Sequence, residues 1–186
     1  PKREEIYAQS LSEIQRLESL VSNLLITRSI ENKNYFLNKT TFQLNSLILS
    51  LTDSLKSSIL KNRKINLSLN EVELNGDKEA MTSVVVNLLQ NAVKYSPAES
   101  EIGINLFQND RCIVLEISDQ GIGIENKKKN QVFDRFYRVE NEMTRKSKGT
   151  GLGLFIVKYL VEKHNGKIEL KDNLPKGLIV EIEFKN

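Results

Sequence analysis

The chain has 186 residues, 39% hydrophobic and 27% charged, with nine Gly, three Pro and no Trp, a balance that excludes collagen-like and disordered chains. The length suits one good core with a smaller appendage and excludes a large multidomain enzyme or a repeat array. The formal charge of +3 is concentrated rather than spread: residues 125–148 hold eight basic residues against four acidic ones, a local +4 that leaves the remainder at −1. A local patch of this kind fits a polyphosphate better than a nucleic-acid duplex, with a solvated basic loop as the alternative reading.

The longest uncharged stretches, Thr40–Thr52 and Ala80–Val93, contain Asn, Gln, Ser and Thr and fall short of the roughly 20 apolar residues of a membrane span. One cysteine, Cys112, and one histidine, His164, exclude an internal disulfide and a zinc cluster and favour a reducing compartment. No apolar run follows Pro1-Lys2-Arg3-Glu4-Glu5, so no signal peptide is expected; without an initiator Met the chain reads as a piece of something longer.

From Glu4 to about Ile30 there is no Gly or Pro, and Tyr7, Ile14 and Val21 alternate with Ser10, Leu17 and Leu24 at heptad spacing. That pattern predicts one long amphipathic helix whose seam suits a helical bundle. The Asn- and Lys-rich segment that follows reads as a linker. A second helix is expected from about Asn45 to Lys61 with Leu44, Leu47, Leu51 and Leu55 on one stripe, then short strands at Ile65–Leu69 and Val72–Leu74. After a turn at Asn75-Gly76, Asp77 is placed to cap a helix from Lys78 to about Tyr95, which Ser96-Pro97 stops. Alternating strands at Ile102–Phe107 and Ile113–Ser118 form a hairpin, and a Gly-rich segment opens a helix from about Leu154 to Lys163. Strands at Lys167–Leu170 and Leu178–Phe184 close the chain. The expected fold class is α+β: a two-layer α/β sandwich with a mixed, largely antiparallel sheet, preceded by a long amphipathic bundle helix.

Three segments carry chemistry. At about 100° per residue Asn87, Asn91 and Lys94 share one narrow face of their helix, opposite Met81, Val85, Leu88, Leu89 and Ala92. Carboxamide oxygens are hard ligands suited to Mg²⁺, which takes much of its shell from substrate phosphates and water, and Lys94 adds positive charge beside such phosphates. The alternative is a solvated face. In Asp119-Gln120-Gly121-Ile122-Gly123-Ile124 an ionised Asp only accepts hydrogen bonds, so it can recognise the exocyclic amine of adenine and repels the carbonyl of guanine; alone, the segment reads equally as a strand-ending turn. Lys148-Gly149-Thr150-Gly151-Leu152-Gly153-Leu154 precedes a helix, whose free N–H groups hold phosphate oxygens. Its spacing matches neither a Walker loop nor a dinucleotide fingerprint.

In this order the segments closely resemble the ATP-binding catalytic domain of sensor histidine kinases, within the superfamily that includes the Hsp90, gyrase and MutL ATPases. Asn87–Tyr95 is similar to the N box, Asp119–Gly123 to the G1 box, Phe133–Arg138 to the F box and Gly149–Leu154 to the G2 box. Ser12–Leu25 resembles the second helix of the dimerisation and phosphotransfer hairpin. The resemblance implies residues 1–31 as that bundle helix, 32–43 as linker and 44–186 as a histidine-kinase-type ATPase domain. It implies ATP and Mg²⁺ as cofactors, with Asn91 on the metal and Asn87 near the phosphates. Lys94 is implied on phosphate, Tyr95 near adenine, Asp119 on the adenine amine and Arg138 approaching the γ-phosphate, so that Asn87, Lys94 and Arg138 are the catalytic set. Gly121, Gly123, Gly149, Gly151 and Gly153 would shape the pocket, with Thr150, Leu152 and Leu154 in the same loop, and residues 125–148 would be a mobile lid.

The implied activity is transfer of the γ-phosphoryl group to a histidine on an acceptor helix of the same kinase, in a cytoplasmic homodimer joined through the bundle helix and serving a response regulator receiver domain. The alternatives are an ATP-binding regulatory module without transfer and an ATP-operated clamp of the wider superfamily. No nucleic-acid partner is expected. Two departures from the family pattern stand out. Glu125 replaces a proline after the G1 box, and Asn165 stands where a glycine is frequent, although Asn tolerates a positive φ. No histidine has the acceptor pattern; His164, before the Asn165-Gly166 turn, is expected to be structural.

Overall fold

The computed structural model describes residues 2–32, 34–61, 63–139 and 149–185. The chain divides into two compact units, Pro1–Phe36 and Leu37–Asn186. The first is a single helix, α1 (Lys2–Glu31), thirty residues long. Tyr7, Ile14, Leu17, Val21 and Leu24, the apolar members of its seam, are each more than half exposed. Among the described residues no helix is long and apolar enough to cross a membrane.

The second unit runs β1 (Thr40–Gln43), α2 (Leu44–Leu55), β2 (Lys64–Leu69), β3 (Glu73–Gly76), α3 (Lys78–Tyr95), β4 (Glu101–Gln108) and β5 (Cys112–Asp119). Two 3-10 turns, Asn126–Lys128 and Gln131–Phe133, lead towards α4 (Gly153–Lys163), β6 (Gly166–Asp172) and β7 (Leu178–Lys185). Five strands form one sheet in the order β2-β4-β5-β7-β6, with β2 parallel to β4 and every other neighbour antiparallel. Alternation decides which face is covered. Ile102, Ile104 and Leu106, Ile113, Leu115 and Ile117, and Val180, Ile182 and Phe184 are buried, as are Met81, Val84, Val85 and Leu89 of α3 and Ile156, Val157, Leu160 and Val161 of α4. The opposite face is polar, where Asn105, Glu116, Glu181 and Glu169 lie abreast on neighbouring strands. The architecture is therefore the expected two-layer α+β sandwich.

Three local expectations need correction. Thr40–Gln43, read as linker, is a strand paired with β3 from Thr40 opposite Gly76 to Gln43 opposite Glu73. Asn75-Gly76, read as a turn, is the end of that partner strand. Gly76 lets the His164 ring pack closely on the strand, since a Cβ there would sit 3.0 Å from Cδ2 of His164. Helix α2 stops at Leu55, not Lys61: the Leu60 amide turns back to the Leu55 carbonyl at 2.9 Å, which carries Leu60 into the core.

One node ties the elements that carry the candidate site. The Asp77 carboxylate caps α3 by accepting from the Ala80 amide at 3.0 Å, and its other oxygen accepts from the Asn38 amide at 2.8 Å. The Asp77 amide donates to Nε2 of His164 at 3.0 Å, while Nδ1 of the same ring lies 2.7 Å from the Leu160 carbonyl. The ring is thus neutral with its proton on Nδ1, and Asn165 behind it adopts φ 57° at the helix exit. Burial is the main cause that lowers the His164 pKa, opposed by the Leu160 carbonyl. A depressed pKa means that the unfolded chain binds the extra proton first. The contribution of His164 to stability is complete above the ordinary value near 6.5 and is lost as pH falls below it. Thermal melts should show the wild type losing more stability than His164→Gln between pH 7 and pH 5; parallel curves would remove this histidine from the pH response.

Candidate nucleotide site

Helix α3 supplies one wall. Its capped start and apolar stripe fix its rotation, which leaves Asn87, Asn91 and Lys94 towards the start of α4. Asn87 is buried and its Nδ2 donates to the Ser83 carbonyl at 2.9 Å. Its Oδ1 lies 2.9 Å from where a Cβ on Gly153 would stand, and Asn91 Nδ2 lies 3.9 Å from the same point. Gly153 thus lets the N-terminal end of α4 approach both amides, which sets a positive helix end beside two carboxamides. Lys94 Nζ lies 3.0 Å from the Tyr95 hydroxyl and 4.7 Å from its ring centre, and it fills the space that a side chain at Gly149 would need.

The opposite wall ends on Asp119, at the last position of β5. Its Oδ1 accepts from the Gly121 amide at 2.7 Å. Burial raises its carboxyl pKa, opposed by the Gly121 and Leu178 amides that favour the ionised form. A raised carboxyl pKa works against the fold at neutral pH, since stability falls as pH rises through that pKa. Gly121 fits because a side chain there would strike the Tyr95 carbonyl, and Gly123 adopts φ 67°. Gly151, at φ 71°, leaves no room for a Cβ, which would stand 2.7 Å from both the Phe136 carbonyl carbon and the Tyr137 oxygen. The Phe136 amide donates to the Gly151 carbonyl at 3.1 Å, stitching the segment before the basic stretch to the Gly-rich loop.

A single pocket is lined by Asn91, Tyr95, Asp119, Gly123, Arg138 and Leu154 of the expected site residues. Leu88, Ile117, Ile122, Leu178 and Val180 make its apolar walls. Asn87, Lys94, Gly149 and Gly153 meet where α3 faces the Gly-rich loop, Gly121 lies under Tyr95, and Thr150, Gly151 and fully buried Leu152 belong to the loop's support. Of the expected lid, residues 126–133 form the two 3-10 turns, with Val132 and Phe133 buried; residues 140–148, with Arg145, Lys146 and Lys148, lie outside the described residues.

Two supports were missed in the sequence. Asn173 Nδ2 donates to the Asp119 carbonyl at 2.7 Å, and Gly177, at φ 134°, packs on that same carbonyl where no Cβ fits. Only Gly177 left a trace, as a glycine in a hairpin loop. Among the described residues no three carboxylate, imidazole or thiol groups converge into a metal cage. The donors beside the α4 start are carboxamides, a set that fits a hard cation taking its remaining ligands from phosphates and water.

An apolar slot that ends on a buried carboxylate, beside two amides and a helix N-terminus on one face of a mixed sheet, defines a nucleotide-binding domain. Residues 76–186 match the histidine kinase-, DNA gyrase B- and HSP90-like ATPase family, and the chain belongs to that family. It is 35% identical over 179 residues to sensor protein SrrB of Staphylococcus aureus (strain N315), covering 93% of this chain and 30% of that protein. A mycobacterial sensor histidine kinase, MprB, superposes with a TM-score of 0.70 at 28% identity, over 79% of this chain and 97% of its own. The histidine kinase ThkA, solved in complex with the response regulator TrrA, aligns with a TM-score of 0.70 at 23% identity over 93% of this chain and 48% of its own. The chain spans about 30% of the length of the curated relatives it matches. It carries an ATP-binding catalytic domain of the sensor histidine kinase type.

Proposed function

We propose that the domain binds Mg·ATP and transfers its γ-phosphoryl group to a histidine on an acceptor helix other than any in this sequence. An imidazole nitrogen of the acceptor forms the new bond to phosphorus, the bond to the bridging oxygen breaks, and ADP leaves. Such a transfer needs positioning and charge stabilisation more than covalent help from the protein. Asp119 accepts from the adenine amine, and the apolar slot excludes water around the ring. Asn91, supported by Asn87, would hold the Mg²⁺, which neutralises phosphate charge. Lys94 and the α4 amides bind phosphate oxygens, and Arg138 meets charge that develops on the γ-phosphoryl group. The observation that carries this reading is the buried Asp119 carboxylate in the wall of the slot that Asn91 and Arg138 also line.

The exposed seam of α1 supports a homodimer in which that helix joins a bundle, and ThkA in complex with TrrA supports a receiver domain as the onward partner. A cytoplasmic location follows from this reading, since ATP and the receiver are found there. Calorimetry tests the site: ATP should bind in the presence of Mg²⁺ and GTP should not, and equal affinities would end the assignment.

A further expected result concerns the only histidine in the sequence. Helix α4 has eleven residues, about 16 Å at 1.5 Å each, so His164 lies at the end remote from the Gly-rich loop. Both its ring nitrogens are engaged. Reacting atoms must come within about 3–3.5 Å. With labelled Mg·ATP the chain alone should acquire no acid-labile phosphate; label that vanishes in His164→Gln would contradict this.

A further inference from the structure

Helix α3 is capped locally only in part, by the Ser96 hydroxyl donating to the Ala92 carbonyl. Its last carbonyls lack intrahelical donors, and Pro97, two residues beyond Tyr95, has no amide to offer. Arg63, just before β2, takes over. Its Nη2 donates to the Val93 carbonyl at 2.8 Å and to the Ser96 carbonyl at 3.3 Å. Its Nη1 reaches the Ser96 hydroxyl at 3.1 Å, the Ser100 hydroxyl at 3.2 Å and the Pro97 carbonyl. A planar cation on the negative end of a helix is favoured both by the dipole and by charge-assisted bonds, and its fork matches several carbonyls at once.

The turn so held is the one that carries Lys94 and Tyr95. On its other side the Ile122 amide donates to the Tyr95 carbonyl at 3.3 Å, and Gly121 packs against the same carbonyl. Tyr95 and Ile122 both line the nucleotide pocket. The Arg63 guanidinium therefore grips one face of a turn whose other face sets the Asp119–Gly123 loop. Nothing in the sequence pattern singles it out, since it lies thirty residues from the first carbonyl it binds.

We propose that Arg63 is a positioning residue for the nucleotide site, acting through the Lys94-Tyr95 turn on the Gly121-Ile122 wall without touching nucleotide. The inference rests on the assignment of the pocket to ATP. Because the Tyr95 carbonyl on this turn holds the Gly121-Ile122 wall next to Asp119, on the base side of the site, loosening of that wall weakens ATP and ADP alike, whereas loss of a γ-phosphate contact weakens ATP more than ADP.

Calorimetry with ATP and with ADP on wild type, Arg63→Ala and Arg63→Lys, well below each melting temperature, tests it. Arg63→Ala should raise both dissociation constants by the same factor, on the order of tenfold. Arg63→Lys, which keeps the charge but not the fork, should recover only part, and millimolar guanidinium ion should improve binding to the Ala variant while leaving the wild type unchanged. Hydrogen exchange gives the local readout: the Gly121 and Ile122 amides should exchange faster in Arg63→Lys, with the Ile182 and Phe184 amides of β7 unchanged. Unaltered affinities in Arg63→Lys, or uniform acceleration across the domain, would show a merely structural arginine and overturn the proposal; if Arg63→Ala does not fold, the Lys variant alone decides it. Failure of the wild type to bind ATP would instead remove the site assignment itself.

Discussion

Asp119→Asn should weaken ATP binding by about ten- to a hundredfold, the effect of losing a hydrogen bond to a charged acceptor at about 1.5–3 kcal/mol. The Gly121 and Leu178 amides both favour a carboxylate here, so the Asn side chain can satisfy them only by turning its NH2 towards the base or towards one of them. Either choice opposes donor to donor. The same substitution removes a carboxyl group whose burial raises its pKa, so the pH-dependent penalty on folding should disappear with it. Melting curves of wild type and Asp119→Asn should therefore converge as pH falls towards the carboxylate range, while their ATP affinities stay apart at neutral pH. Unchanged affinity would displace Asp119 from the base-recognition role.

Arg138→Ala should lower phosphoryl transfer to a separately supplied acceptor hairpin by about 10²-fold, the scale for one donor aimed at developing charge, while the dissociation constant for ATP changes by no more than about threefold. Single-turnover rates at saturating ATP separate the two quantities. Arg138 lines the pocket together with Asn91 and Leu154 and follows Tyr137, whose carbonyl blocks any side chain at Gly151. A loss in binding as large as the loss in transfer would make this arginine an ordinary ground-state contact.

What could be read in the sequence was what is local or periodic. Asp77 capping α3, Asn87 and Asn91 one turn apart and the glycines of two loops depend on spacing along a single element, and each stands where spacing put it. The Asn165 turn obeyed the same logic, because a residue with a short polar side chain is one of the few that adopt a positive φ. Thr40–Gln43 was misread because four polar and aromatic residues have no strand signal until Glu73–Gly76 lies beside them. Asn173, Gly177 and Arg63 act across 54, 58 and 30 or more positions, and no pattern within a window of the chain announces such a partner. Leu178 and Val180 looked like core strand residues and are so; that they also wall the slot follows only from where β7 runs beside β5.

The chain enters its second unit at Leu37, and the first bond it meets is the one from the Asn38 amide to Asp77. That carboxylate is the cap of α3, and its own amide is fastened to the imidazole at the far end of α4. Asp77 thus joins the entry of this unit to the N-terminal end of α3 and the C-terminal end of α4. The other ends carry Lys94 with Tyr95 and Gly153 with Leu154. One buried aspartate thereby fixes, from their far ends, the two helices whose near ends place Tyr95 and Leu154 in the pocket wall.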